Sequence, residues 1–311
     1  MTSHLTPRLL RALGVLGALT AVGAGLRWEL RRRQRRRAEE RRRPGPDGIV
    51  PGAHPLYLPA AGPRAALLLH GFGDTPQALG YLAGHLHQHG WAVHVPLLPG
   101  HGRTFAEFAA SGCDQWLDCA REELAALRAE HDEVAIVGLS MGGALATVLA
   151  AEQDATGPGG ICALALIAPY LSMAPGLRGM ARVHRLWSPV APVLGARGER
   201  SILDSAERER NLAYGAVSGA LLRELLAVVD HAAAALPRVR TPTLVVHSRQ
   251  DERIPAAAAE RAFARLGAPS KRLEWVSDGG HVLTVDHGRE RVQELVALWL
   301  ERRGALAAAG A

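Results

Sequence analysis

The stretch that most constrains this chain is residues 133–150, Glu-Val-Ala-Ile-Val-Gly-Leu-Ser-Met-Gly-Gly-Ala-Leu-Ala-Thr-Val-Leu-Ala. Val134 to Gly138 suit a buried strand and run straight into Leu139-Ser140-Met141-Gly142-Gly143, after which small residues read as a helix. A serine hydroxyl is a weak nucleophile unless it is held clear of the surface beside a base. A tight strand-to-helix turn does this only where the flanking positions carry no bulk. Gly138 and Gly142 supply that room. The same turn brings the first amides of a helix to the hydroxyl, where unpaired N–H groups favour negative charge. On its own the pentapeptide is a glycine-rich turn of a kind found in many folds. With a strand before, a helix after, and an acid and a base downstream in the order Ser, Asp, His, Ser140 becomes the candidate nucleophile.

The rest of the chain alternates around that turn. Ala65 to Leu69 reads as a short buried strand ended by His70-Gly71-Phe72-Gly73. A helix from near Pro76 comes next, with Leu79, Leu82, Ala83 and Leu86 on one face, then a strand at Trp91 to Val95. A loop at 96–102 leads to a helix expected over 114–130, the nucleophile strand, and a further strand at 161–168. Later come a strand at Thr243 to His247, a helix at 256–266, a strand at 273–276 and a helix at 290–303. This alternation builds a mostly parallel sheet with helices on both faces, an α/β architecture. Residues 170–237 break the rhythm with short helical stretches and no expected strand, and read as a cap inserted over the active site. Leu177, Met180, Leu186 and Trp187 in that segment fit either a greasy acyl pocket or the core of the cap.

A chain of 311 residues, 48% hydrophobic and 21% charged, suffices for one domain of about 250 residues and an extension. The net charge of +6 would suggest nucleic acid were it not so unevenly placed. Residues 27–43 hold ten Arg against three Glu, a net +7, so the remainder carries −1 and is not a nucleic-acid-binding body. Upstream, residues 9–26 are apolar with Arg11 their only charge, although the uncharged stretch of 15 residues is short of the roughly 20 a spanning helix needs. A signal peptide is the rival reading. The arginine run directly after the apolar segment favours keeping its C-terminal side in the cytoplasm. The expectation is an anchor over 1–43, spanning or peripheral, whose arginines meet anionic head groups, with the domain at 44–311 cytoplasmic. Pro44-Gly45-Pro46-Asp47-Gly48 marks the boundary. Cys113, Cys119 and Cys162 show no paired spacing and imply neither a disulfide framework nor a zinc site.

Taken in order, His70-Gly71-Phe72-Gly73, Pro99-Gly100-His101-Gly102, Gly138 to Gly143, Asp251 with Ile254-Pro255, and Gly280-His281-Val282-Leu283-Thr284-Val285-Asp286 resemble the α/β-hydrolase superfamily. Within it the chain is similar to small bacterial carboxylesterases and monoacylglycerol lipases, over about residues 63–303. The resemblance implies an α/β-hydrolase fold with a small helical cap, an ester or lipid substrate, and no metal or organic cofactor.

Position selects the remaining residues. Of fourteen histidines, His281 alone stands directly after the last predicted strand, where a loop can swing an imidazole over the serine, so it reads as the base. His287 is its neighbour and is expected to begin the final helix. Asp251, in the loop after the strand at 243–247, reads as the acid, against the plainer reading of a solvated residue beside Arg249 and Arg253. Asp278 and Asp286 are its rivals; Asp278 lies too near His281 in sequence, and Asp286 suits orienting the histidine loop. The amides of Met141 and Phe72 would form the oxyanion hole, Phe72 standing where the related lipases place their second donor. His70 reads as a brace of that loop or as a turn histidine. Lysophospholipase, thioesterase, acyltransferase and carbon–carbon bond hydrolase activities share this triad. A non-catalytic binding protein would have no need of all three residues.

Overall fold

The computed structural model describes residues 43–153, 160–195 and 201–308. The chain divides into two compact units, Met1–Arg43 and Pro44–Ala311. The expected anchor at 9–26 and its arginine run to Arg42 lie outside the described residues. Among those described, no helix is long and apolar enough to cross a membrane.

Seven strands form one sheet: β1 (Leu56–Leu58), β2 (Arg64–Leu69), β3 (Ala92–Val95), β4 (Glu133–Leu139), β5 (Ile161–Ile167), β8 (Thr243–Ser248) and β9 (Lys271–Val276). Their order is β1-β3-β2-β4-β5-β8-β9, parallel throughout except for β1, which runs antiparallel against β3. The side-chain period of a strand sends neighbours to opposite faces. Leu67, Leu69, Val134, Ile136, Leu164 and Leu166 accordingly enter one core, and Leu68, Ala135, Val137, Ala163, Ala165 and Ile167 the other. Both faces are dry, which is why these strands read as unbroken apolar runs rather than alternating ones. β4 lies at the centre, paired with β2 and β5, so its C-terminal end opens at the middle of the sheet. Ligands bind outside the carboxyl ends of strands in such sheets.

Helix α1 (Gly80–Gln88), preceded by a 3₁₀ turn at Pro76–Leu79, replaces the single helix expected from Pro76. Proline pre-sets the first turn but donates nothing to it. Helix α2 (Phe105–Ala110) has no counterpart among the expected elements; a capping box between Thr104 and Glu107 starts it. Helix α3 (Cys113–Glu130) agrees with expectation, and α4 (Met141–Glu152) is buried from Met141 to Ala150, which explains its all-small sequence. The final helices are α9 (Ala256–Arg265) and α10 (Arg289–Ala308).

Between β5 and β8 lie α5 (Pro175–Arg182), α6 (His184–Trp187), α7 (Ser205–Arg210) and α8 (Gly219–Ala235). The expectation that this segment contains no strand is overturned. β6 (Val193–Gly195) pairs antiparallel with β7 (Ala216–Ser218). Three residues per strand are too few to show a period of two, so the pattern carried no signal. Leu177 and Trp187 pack against the main core, whereas Met180 and Leu186 are exposed.

Candidate active site

The elbow at Ser140 is built by close backbone approach. A Cβ on Gly142 would stand 2.0 Å from the Leu69 carbonyl oxygen, and one on Gly138 2.3 Å from that of Gly142, so neither position accepts a side chain. Ser140 itself adopts φ 54°, ψ −114°, a conformation that L-residues rarely take and that costs about 1–3 kcal/mol. Its amide donates to the Ile167 carbonyl at 2.9 Å, while its own carbonyl accepts from the amides of Gly143, Ala144 and Tyr170. The turn is thus tied to β5 and to α4 on both sides.

His281 lies beyond β9 on a loop whose position is over-determined. Its amide and that of Val282 both donate to the Ser201 carbonyl at 2.9 Å, and Ser248 donates to the Gly279 carbonyl. The imidazole lies between the other two candidates: Nε2 is 2.8 Å from Ser140 Oγ and Nδ1 is 2.8 Å from Asp251 Oδ2. Asp251 Oδ1 accepts from the amides of Arg253 (2.8 Å) and Ile254 (2.9 Å). Burial pushes the Asp251 carboxyl up, but the hydrogen bond and charge of His281 and the Ile254 amide outweigh it and leave its pKa below the ordinary value. An ionised Asp251 accepts a hydrogen bond from Nδ1–H and so keeps the ring proton there, which leaves the Nε2 lone pair for the serine hydroxyl. His247, behind Asp251, donates Nε2–H to the Ile254 carbonyl, and burial holds its pKa down.

The loop after β2 lies against the serine: a Cβ on Gly71 would be 3.4 Å from that of Ser140. Among the described residues, the amides of Phe72 and Met141 donate to no protein acceptor. They are therefore free for a ligand oxygen. His70 braces this loop. It is fully buried, and burial pushes its pKa down to about 4. Nδ1–H donates to the Gly71 carbonyl at 3.0 Å while Nε2 accepts from the Leu98 amide at 3.1 Å, so one neutral tautomer satisfies both bonds. The Phe72 ring packs on Phe108 and Trp116, with centroids 5.1 and 6.0 Å away.

The rival acids separate cleanly. Among the described residues, the Asp278 carboxylate has only the neighbouring Ser277 hydroxyl as a partner. Asp286 is fully buried and accepts from four amides: Leu203 and Gly280 on Oδ2, Asp204 and His287 on Oδ1, all at 2.7 to 2.8 Å. It holds the histidine loop, as its position suggested. His287 precedes α10, which begins at Arg289, instead of opening the helix. Asp74, Tyr170, Ser201 and Arg253 also surround this centre; they belong to no periodic pattern, and Arg253 was legible only as a neighbour of Asp251.

A serine in a strained strand-to-helix turn at the centre of a parallel sheet, linked in hydrogen-bond series to a histidine and an aspartate from later loops, defines the serine hydrolases of the α/β-hydrolase fold. The profile of the family described as "Serine aminopeptidase, S33" matches residues 62–288, and the chain belongs to that family. It is similar to a carboxylesterase of Bacillus subtilis (strain 168), 26% identical over 242 residues spanning 78% of this chain and 94% of the relative. It is equally similar to a thermostable monoacylglycerol lipase of Bacillus sp. (strain H-257), 26% identical over 249 residues, 79% of this chain and 93% of the relative. A solved structure from work on the metagenome-derived lipolytic enzymes LipS and LipT is 30% identical with a TM-score of 0.74, covering 82% of this chain and 99% of the other.

Proposed function

We propose that Ser140, His281 and Asp251 hydrolyse carboxylic esters through an acyl-enzyme, with the amides of Phe72 and Met141 as the oxyanion hole. The observation that carries this reading is the unbroken series Asp251 Oδ2, His281, Ser140 Oγ, both links 2.8 Å, beside two unspent amides. His281 Nε2 takes the hydroxyl proton as Ser140 attacks the carbonyl, and returns it to the departing alcohol. Water then repeats the sequence and releases the acid. Each oxyanion donor lowers the barrier by about 2.7–4 kcal/mol. The relatives named carboxylesterase and monoacylglycerol lipase support a carboxylesterase or monoacylglycerol lipase acting on a small carboxylic ester or lipid ester.

The test is hydrolysis of p-nitrophenyl esters from acetate to palmitate, of 1-monoacylglycerol and of alanine p-nitroanilide, by the full chain and by Ser140→Ala. Ester turnover abolished by the substitution supports the assignment. Turnover confined to the anilide would replace it with the peptidase chemistry named in the family description. The segment 170–237 is proposed as the cap of the cleft, and residues 9–26 with the arginine run as a membrane attachment that leaves the enzyme cytoplasmic. Recovery of the full chain in the soluble fraction after lysis would remove the attachment.

A further inference from the structure

Arg253 stands two residues beyond Asp251, and its donors are unevenly used. The backbone N–H goes to Asp251 Oδ1 and Nε–H to Ser201 Oγ. Among the described residues, neither Nη nitrogen has a hydrogen-bond or ion-pair partner, and the residue is exposed. Its surroundings are nonetheless crowded: burial lowers its pKa, and it lies close enough to feel the charges of Asp251, Asp74 and Tyr170.

Those neighbours locate the guanidinium. Tyr170 stands just beyond β5, and its amide donates to the Ser140 carbonyl at 2.9 Å. Asp74 ends the oxyanion loop, its Cβ 3.9 Å from where a Cβ on Gly71 would be, and Gly71 itself lies against Ser140. Ser201, which holds Nε, also anchors the amide of His281 through its carbonyl. The guanidinium, tied at Nε to the residue whose carbonyl holds the His281 amide, thus lies beside the catalytic histidine loop with its Nη edge unspent among the described residues.

Two carboxylates act on that charge, and both are engaged elsewhere. Asp251 spends Oδ1 on two backbone amides and Oδ2 on His281. Asp74 accepts from the Thr75 amide at 2.9 Å and from Asn211 Nδ2 at 3.4 Å, and burial pushes its pKa up to about 6. An arginine with a free Nη pair matches the two oxygens of a carboxylate or phosphate in a way that a glycerol hydroxyl does not.

We propose that Arg253 forms an anion-binding subsite of the catalytic cleft, which receives a carboxylate or phosphate carried by the ester substrate. This rests on the reading of Ser140 as the nucleophile and narrows the substrate to anionic esters. The charge sits either on the acyl side, as in a half-ester of a dicarboxylic acid, or on the alcohol side, as in an acyl glycerol phosphate.

Two substrate pairs separate these sources: monomethyl against dimethyl adipate, and 1-lauroylglycerol 3-phosphate against 1-lauroylglycerol. The full chain and its Arg253→Gln and Arg253→Lys variants are compared by kcat/KM on each. The expected result is that Arg253→Gln lowers the anionic-to-neutral ratio at least tenfold in one pair, which identifies the side, while Arg253→Lys keeps most of the ratio. Equal ratios in wild type and Arg253→Gln for both pairs would overturn the subsite. A second readout does not depend on turnover: calorimetric titration of adipate and of glycerol 3-phosphate into Ser140→Ala and into Ser140→Ala/Arg253→Gln. Binding to the first that weakens at least tenfold in the second supports the subsite; equal binding, or none in either, refutes it. Ester turnover that persists in Ser140→Ala would instead remove the nucleophile and leave the titration to decide the anion site.

Discussion

Replacing Asp251 by Asn probes the hydrogen-bond series without removing volume. In the wild-type site Oδ1 accepts from two backbone amides, at 2.8 and 2.9 Å, so an asparagine must keep its carbonyl oxygen there and turn its NH₂ toward His281 Nδ1. That nitrogen then becomes an acceptor, and the ring proton moves to Nε2, where it faces the Ser140 hydroxyl and cannot receive its proton. Restoring the competent tautomer sets N–H against N–H and forfeits a buried bond, at about 1–3 kcal/mol for each unsatisfied donor. Loss of the carboxylate also removes the charge that stabilises the imidazolium, a charge-assisted bond of about 1.5–3 kcal/mol. Together these amount to about 2.5–6 kcal/mol, or 10²- to 10⁴-fold in kcat at about 1.4 kcal/mol per decade. Both backbone bonds survive, so the thermal midpoint should change by only a few degrees. Initial rates on p-nitrophenyl butyrate with a melting curve of the same preparation make the measurement. A folded Asp251→Asn protein retaining more than a tenth of wild-type kcat would refute the argument.

Three further outcomes rest on the same geometry. Ser140→Gly should be more stable than Ser140→Ala by about 0.5–2 kcal/mol, because glycine releases the strain at φ 54° and repays about 0.5–1 kcal/mol in chain entropy; equal urea midpoints would mean that the elbow stores no strain. The buried Asp74 carboxyl has its folded pKa raised from 3.8 to about 6, so its ionisation penalises the folded state above pH 6, and the penalty fades as pH falls from 6 toward 3.8. At 1.36 kcal/mol per unit this is about 3 kcal/mol, and Asp74→Asn should raise the melting temperature at pH 8 but not at pH 4; a pH-independent gain would contradict the cause given. Asp286→Asn must aim its NH₂ at two of the four amide donors whichever way it turns, so it should cost about 3 kcal/mol or more and lower kcat through Gly280 and His281, whereas kcat at the wild-type value would separate this carboxylate from the histidine loop.

Much of the catalytic geometry was legible because chemistry and local pattern coincide there. The elbow requires glycine at 138 and 142 for reasons of space, and the sheet requires apolar runs such as Leu67 to Leu69, so both are written in residue type. Asp251 and His281 were identifiable because each stands in the loop directly after a strand. What escaped has no period. β1, β6 and β7 are three residues each, and α2 is defined more by its Thr104–Glu107 cap than by any apolar stripe. The free edge of Arg253 depends on Ser201, fifty-two positions upstream, a relation that no local pattern encodes.

Tyr214 adds a mechanical consequence to the bonds of Asp286. Its hydroxyl lies within 3.0 Å of the Gly100 carbonyl and of the amide and carbonyl of Arg103, and its ring stacks on Phe108 at 4.6 Å and 6°. With Leu203 and Asp204 riveted to Asp286, the insertion between β5 and β8 is sewn to the scaffold along its second half. It therefore cannot lift as one flap. The first half, α5 and α6, has no such tie to Asp286 or to residues 100–108 among the described residues, and Met180, Val183 and Leu186 face solvent there. Amides there should exchange with deuterium well before those of α8, which makes the first half the moving part and the second part of its frame.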